Sequence, residues 1–124
     1  MSMTYELDIA LRMEEFEHLQ DGWMDGEGIT PKKEELEWFV ETFEQFYDAS
    51  LPLPALSPTI DGGIYAEWSI SCYDVSLEIN LPEKSAVYKS LKLCNDEQAE
   101  LFFDLSTDKG WQLLNKKIDS LQKK

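Results

Sequence analysis

The chain has few of the residues from which catalytic and metal sites are usually built. It contains one histidine, His18, and two cysteines, Cys72 and Cys94, which form no CxxC pair. Ser-His-Asp and Cys-His mechanisms would have to use His18, whose glutamate-rich surroundings are typical of a solvated helix surface. A zinc site needs about four ligands, and no HExxH or related spacing occurs. We therefore expect no metal or other cofactor, and two reduced, inert cysteines that lie in strand-like segments as small buried apolar residues.

Nucleotide-binding and membrane-spanning segments are missing as well. No Walker-type GxxxxGK[ST] occurs, and "GWMDGEG" is not a dinucleotide fingerprint, because no strand precedes it. No run of residues approaches the ~20 apolar residues of a membrane span. The start "MSMTYELDIALRMEEFEHL" lacks the basic, apolar and small-residue parts of a signal peptide. We expect a cytoplasmic protein that does not contact a membrane.

Basic residues are scarce, and the acidic excess is the dominant feature of the composition. The chain has 11 Lys and Arg against 25 Asp and Glu, for a net charge of −14. A surface this negative disfavours direct binding of nucleic acid, whose phosphates it repels. It suits a basic protein partner, although an acidic surface also keeps a protein soluble without any partner. Both interpretations stay open.

The length of 124 residues fits one domain, residues 1–124, with one core. Apolar residues at spacings of three and four predict a helix over 5–19. The strongest helical pattern follows Thr30 and Pro31, a good N-cap and a good first helical residue. Its apolar stripe consists of Leu36, Phe39, Val40, Phe43, Phe46 and Tyr47. A last helix follows, with Thr107 or Asp108 as its predicted N-cap.

The middle of the chain alternates apolar and polar residues, which is typical of strands with one wet face. Strands are predicted over 64–72 and 75–81, and a third over about 86–93. Residues 99–105 fit a strand or a helix, and we choose the strand because "NDEQ" forms a turn before them. The fold class is α+β, with two N-terminal helices and a C-terminal helix packed on one face of a 3–5-stranded antiparallel sheet.

Three prolines precede the sequence Asp61-Gly62-Gly63 in "LPLPALSPTIDGG". Proline cannot donate a ladder hydrogen bond, so a strand here must lie at an edge of the sheet. The glycines supply the positive φ angles of a tight turn. Geometry alone explains this corner, which delivers the chain into the first central strand.

The segment that begins at Asp21 partly matches a calcium-binding loop. Asp21, Asp25 and Gly26 match positions 1, 5 and 6 of an EF-hand loop, but position 3 is Trp23 and position 12 is Lys32. Asp21, Asp25 and Glu27 fit a weak divalent-ion site, and they also fit the simpler role of capping or flanking a solvated turn.

Two carboxylates and one tryptophan are further candidates for a binding site. Glu67 and Glu78 point to the polar face of the predicted hairpin. They are solubilising residues if water covers that face, and a perturbed pair if another layer does. Trp23 lies in a glycine-rich turn, where it either plugs the end of the core or is an exposed anchor for a partner. Trp38, Trp68 and Trp111 lie near apolar stripes and are predicted core residues.

Two separated motifs resemble a group of small prokaryotic proteins with no known activity. Its members pair a DGW-like turn and a following proline with prolines ahead of a DGGI-x-x-EW corner. The matching positions here are Asp21, Gly22, Trp23, Pro31, Pro54, Pro58, Asp61, Gly62, Gly63, Ile64, Glu67 and Trp68. The resemblance covers about residues 15–81. It implies a bacterial, archaeal or phage source and a gene that travels with a partner, and little about function.

The sequence is compatible with three functions. The first is a non-enzymatic protein-interaction module, antitoxin-like, immunity-like or regulatory, that binds another protein. The second is an enzyme or small-ligand binder that uses the corner from Asp61 to Trp68 together with Asp21 and Trp23. The third is a structural subunit whose open sheet edge pairs into a homodimer. The lack of recognisable catalytic residues favours the first.

Overall fold

The computed structural model describes residues 9–19, 21–23, 26 and 28–122. In chain order these residues form α1 (Ile9–Glu17), α2 (Lys33–Phe46), β1 (Ala55–Pro58), β2 (Ile64–Ile70), β3 (Tyr73–Asn80), β4 (Ser85–Lys92), β5 (Glu97–Asp104) and α3 (Asp108–Gln122). The class is α+β with one antiparallel sheet of five strands, which confirms the predicted class. The predicted helices fit in part. The helices α2 and α3 are long, whereas α1 has 9 residues and the start predicted at residue 5 lies outside the described part.

The five strands form a meander in the order β1-β2-β3-β4-β5, and every neighbouring pair is antiparallel. Strand β1 ends at Pro58 and lies at one edge, as the prolines predict. Strand β5 forms the other edge and contains most of the ambiguous segment 99–105, so the choice of a strand is confirmed. The third predicted strand, 86–93, is displaced by one residue from β4.

Alternation along the strands separates a buried face of the sheet from an exposed one. The buried face joins the helices in one core; its members include Ile64, Ala66, Trp68, Ile70, Val75, Leu77, Ile79, Ala86, Tyr88 and Phe103. On the opposite face Glu67, Asp74, Glu78 and Lys89 are exposed. The predicted polar face is therefore open to water, and Glu67 and Glu78 are solvated rather than a buried carboxylate pair.

Aromatic rings and side-chain amides connect α2 with α3. Phe43 and Trp111 meet edge to face, with ring centroids 6.2 Å apart. Trp111 donates its indole N–H to the Leu105 carbonyl at 2.9 Å, and Asn115 donates its amide to the Phe46 carbonyl at 2.8 Å. These bonds satisfy polar groups that the core would otherwise leave unpaired.

The predicted core tryptophans divide into two groups. Trp68 and Trp111 are buried, with 5% and 1% exposure, as expected. Trp38 is only half-buried, and the Lys84 ammonium lies 5.5 Å from the centre of its ring. Trp38 therefore borders the core rather than filling it.

The predicted start of α2 is two residues too early. The helix begins at Lys33, and its N-cap residue Lys32 makes no side-chain capping bond. Thr30 does not cap the helix, because its hydroxyl donates to the Leu19 carbonyl at 3.3 Å and its amide donates to Asp21 Oδ1 at 3.0 Å. Thr30 thus fastens the preceding loop.

The start of α3 agrees with the sequence. The Thr107 hydroxyl accepts a hydrogen bond from the Gly110 amide at 3.1 Å, which is the geometry of an N-cap. A Cβ at Gly110 would lie only 1.7 Å from the Asp104 carbonyl oxygen. The helix can approach the end of β5 this closely only because residue 110 is glycine.

The prediction that the cysteines are buried strand residues is wrong. Cys72 is half-buried in the turn between β2 and β3, and Cys94 is exposed in the turn between β4 and β5. Ser71 adopts a left-handed φ of 55°, so β2 ends at Ile70, two residues before Cys72. Within the described residues no helix has the length and apolar character of a membrane span.

Candidate functional site

The exposed face of the sheet is the broadest uncovered surface that the strands present. We call it the open face and define it by Tyr65, Glu67, Asp74, Glu78, Val87, Lys89, Glu100 and Phe102. The antiparallel register places Glu67 beside Ser76, Ser76 beside Lys89, and Lys89 beside Glu100. One row of side chains therefore crosses β2 to β5 with acidic groups near both ends and one ammonium group between them.

A shallow groove of about 1020 Å³ runs across this face. Its charged lining consists of Glu67, Asp74, Lys89 and Glu100. None of the three carboxylates makes an ion pair with another described residue. The groove therefore presents negative charge that is not neutralised within the described part of the chain.

A second row adds apolar surface to the open face. Tyr65 lies beside Glu78, Glu78 beside Val87, and Val87 beside Phe102. Phe102 is 68% exposed, the largest exposure among the large apolar residues described. Exposed aromatic rings beside charged groups are common features of protein-binding surfaces. Successive residues of a strand point to opposite faces of the sheet. The sequence could therefore have identified Phe102 as an exposed residue, because it adjoins the buried Phe103.

The edge strand β5 borders the open face. All of its residues except Phe103 are exposed, and no described strand pairs with its outer side. It carries Glu97, Glu100 and Asp104 and no basic residue. Such an edge can accept another strand, and its charge selects against acidic ones.

The loop that contains Asp21 and Trp23 has a structural explanation. Asp21 accepts the Thr30 amide, and this hydrogen bond holds the pKa of Asp21 below its ordinary value. Trp23 is half-buried, and its indole N–H lies 3.5 Å from the Ile29 carbonyl oxygen. Trp23 is thus neither a core plug nor a free anchor. Asp25 and Glu27, the other two predicted ligands in this loop, lie outside the described residues.

This loop meets the glycine corner through backbone contacts. The Ile29 amide donates to the Ile60 carbonyl at 2.7 Å. Gly62 has a φ of +84°, and a Cβ at Gly63 would lie 2.4 Å from the Ile79 carbonyl oxygen. The glycines are required by this close packing. The DGW-like loop and the glycine corner therefore lie against each other, but their contact is main-chain packing rather than a shared binding site.

The acidic candidates are spread over the molecule. Asp61 and Glu78 border one depression of about 340 Å³ beside Tyr65, whereas Glu67 lies in the larger groove and Asp21 is used in its loop. Within the described residues, no group of three or more His, Cys, Asp or Glu side chains is placed to hold a metal ion.

Trp68, the last residue of the corner motif, is part of the core. Its indole N–H donates to the Tyr47 hydroxyl at 3.1 Å and to the Pro52 carbonyl at 3.0 Å. Burial raises the pKa of Tyr47 to about 12. Glu67 and Trp68 are adjacent in sequence, but the Trp68 side chain belongs to the buried face of β2 and the Glu67 side chain to the exposed one.

Comparison of the chain with protein-family models, with curated proteins and with solved structures finds no match. The site must therefore be interpreted from its own chemistry.

Proposed function

We propose that this protein is a non-enzymatic protein-interaction module whose docking surface is the open face together with the outer edge of β5. Its partner is a basic protein segment, and the biological role is of the antitoxin, immunity or regulatory kind. The observation that carries the proposal is an uncovered sheet face on which unpaired carboxylates surround the half-buried Tyr65 and the exposed Phe102. A cytoplasmic location and a prokaryotic source stay predictions.

The charge of the surface supports a basic partner. The open face carries four carboxylates and one lysine, Lys89. The carboxylates belong to Glu67, Asp74, Glu78 and Glu100. Opposite charges across an interface increase the rate of encounter and reject acidic competitors. The same charges argue against nucleic acid as the partner.

The edge strand supports a partner other than a second copy of this chain. Antiparallel pairing of two β5 strands would bring together three carboxylates from each copy with no cation between them. A lysine-rich extended segment would instead add main-chain hydrogen bonds and neutralise Glu97 and Glu100. The homodimer hypothesis is therefore less favourable than a basic strand.

Local turn chemistry accounts for the lowered carboxyl pKa values among the described residues. The pKa values of Asp21, Asp48 and Asp104 lie below the ordinary value because Thr30, Ser50 and Ser106 donate hydrogen bonds to them. General acid–base catalysis needs a carboxyl group whose pKa is shifted by the surroundings of a reaction site. The pKa values of these three groups are shifted by hydrogen bonds within their own turns or loops. This supports binding rather than catalysis.

The proposal is tested with a synthetic peptide of alternating lysine and valine, with an alternating glutamate and valine peptide as the negative probe. Titration calorimetry should show salt-sensitive binding of the lysine peptide only. The double variant Glu67→Lys/Glu100→Lys should weaken this binding at least about tenfold, because it reverses two charges within the groove.

The matched control is Glu37→Lys/Glu41→Lys, which changes the net charge equally on the exposed side of α2. It should retain most of the affinity. Equal weakening by both double variants would show that only overall charge matters, and the open face would then not be the docking surface. A stable dimer in sedimentation equilibrium that the peptide cannot dissociate would favour the homodimer instead.

A further inference from the structure

The two cysteines lie at one end of the sheet, in adjacent turns. Cys72 belongs to the turn between β2 and β3, and Cys94 to the turn between β4 and β5. Their Sγ atoms are 3.8 Å apart. The Leu93 amide donates to the Cys72 carbonyl at 2.7 Å, which fixes the two turns against each other.

This geometry is close to that of a disulfide. A disulfide bond is about 2.0 Å long, so the sulfurs must approach by somewhat less than 2 Å. Both cysteines lie in turns rather than inside a strand, and the Cys94 side chain is exposed. The chain has no other cysteine, so these thiols have only each other as intramolecular partners.

A basic side chain lies beside the pair. The Lys92 ammonium is 5.8 Å from the centre of the Tyr73 ring. Its pKa is raised by its electrostatic interaction with Tyr73 first, and then with Cys94 and Cys72. The thiolate is the form of a cysteine that attacks a disulfide.

We propose that Cys72 and Cys94 are a redox modification site that forms a reversible intramolecular disulfide at the expense of a small-molecule disulfide. The exposed Cys94 thiolate attacks the small disulfide, forms a mixed disulfide and releases one small thiolate. The Cys72 thiolate then attacks Cys94 Sγ and releases the second. The two protein thiols lose two electrons and two protons, and the small disulfide is reduced to two thiols.

The cross-link would connect the turn after β2 to the turn before β5. Strand β5 begins at Glu97, three residues after Cys94, so the bond would hold the start of the edge strand against the centre of the sheet. The site is independent of the partner proposed for the open face, because it depends only on the two sulfurs.

The test uses the full chain, equilibrated with defined ratios of oxidised and reduced glutathione and then alkylated. Tryptic digestion without reduction should yield peptides 34–84 and 93–109 joined by a disulfide, in protein that migrates as a monomer. The equilibrium constant for forming this bond should be roughly a hundredfold larger in native protein than in urea-unfolded protein, because folding has already closed the loop between the cysteines.

The single variants Cys72→Ser and Cys94→Ser serve as controls and should each carry one glutathione as a mixed disulfide. Native wild-type protein that accumulates two glutathiones without a linked peptide would overturn the proposal. An equal constant in folded and unfolded chains would overturn it too, as would linkage only between two chains. None of these outcomes depends on the stability of a variant.

Discussion

At the scale of single residues, polar side chains in this molecule mainly secure turns. Asp104 illustrates this role: its Oδ1 accepts the Ser106 hydroxyl at 2.5 Å and the Ser106 amide at 3.0 Å. Asp48 does the same for Ser50, and Asp21 accepts the amide of Thr30. Composition alone suggests many candidate pairs of acidic residues. In the structure these carboxylates instead accept hydrogen bonds that stabilise turns and loops.

These turns predict a pH dependence of stability. The hydrogen bonds from Ser106, first from its hydroxyl and then from its amide, lower the pKa of Asp104. The ordinary value in an unfolded chain is about 3.9. A lowered folded-state pKa stabilises the protein above the unfolded value, and this contribution is lost as the pH falls through the folded value.

We therefore expect Asp104→Asn to lower the urea midpoint at pH 7 and to change it less at pH 3. The control is Asp61→Asn, because Asp61 is exposed and accepts no described hydrogen bond. It should shift the midpoint little at either pH. If Asp104→Asn lowered the urea midpoint equally at both pH values, the stabilising role of the ionised Asp104 carboxylate would be contradicted.

At the scale of elements, β5 places two adjacent phenylalanines on opposite faces of the sheet. Phe103 is 6% exposed and pairs with Ala86 in the core, whereas Phe102 is 68% exposed and pairs with Val87 on the open face. The period of two in a strand requires this opposition. The pair therefore provides an internal comparison of the two faces.

We expect Phe103→Ala to reduce the free energy of unfolding by about 3–5 kcal/mol, since it leaves a cavity. Phe102→Ala should change it by less than about 0.5 kcal/mol, because its ring is largely in water. Urea unfolding of both variants measures the difference. An equal loss of unfolding free energy in the two variants would show that the open face is covered or that β5 has another register.

The elements were predictable to the extent that short-range patterns determine them. Alternation identified β2 and β3, and the prolines placed β1 at an edge, because both effects act within a few residues. The start of α2 was not predictable in the same way, since the Thr30 hydroxyl prefers the distant Leu19 carbonyl to the helix. Cys72 and Cys94 continued a strand-like pattern, and only the backbone turns place them together.

At the scale of the whole molecule, the fold concentrates its helices and apolar residues on one side of the sheet. The other side retains an acidic, partly aromatic surface of a kind that protein partners recognise. The sequence predicted that a polar face would exist, and the structure leaves it uncovered. Which acids share a groove depends on strand register, and so Glu67, Asp74 and Glu100 emerged as neighbours only from the pairing of the strands.

The most direct test of the open face as a docking surface is to map the bound lysine–valine peptide on the native protein by nuclear magnetic resonance. In a titration of the isotope-labelled chain, we expect the amide shifts to concentrate in β4 and β5 and at the open-face residues of β2 and β3. Perturbations centred on the acidic exposed side of α2, or spread evenly over the chain, would contradict it.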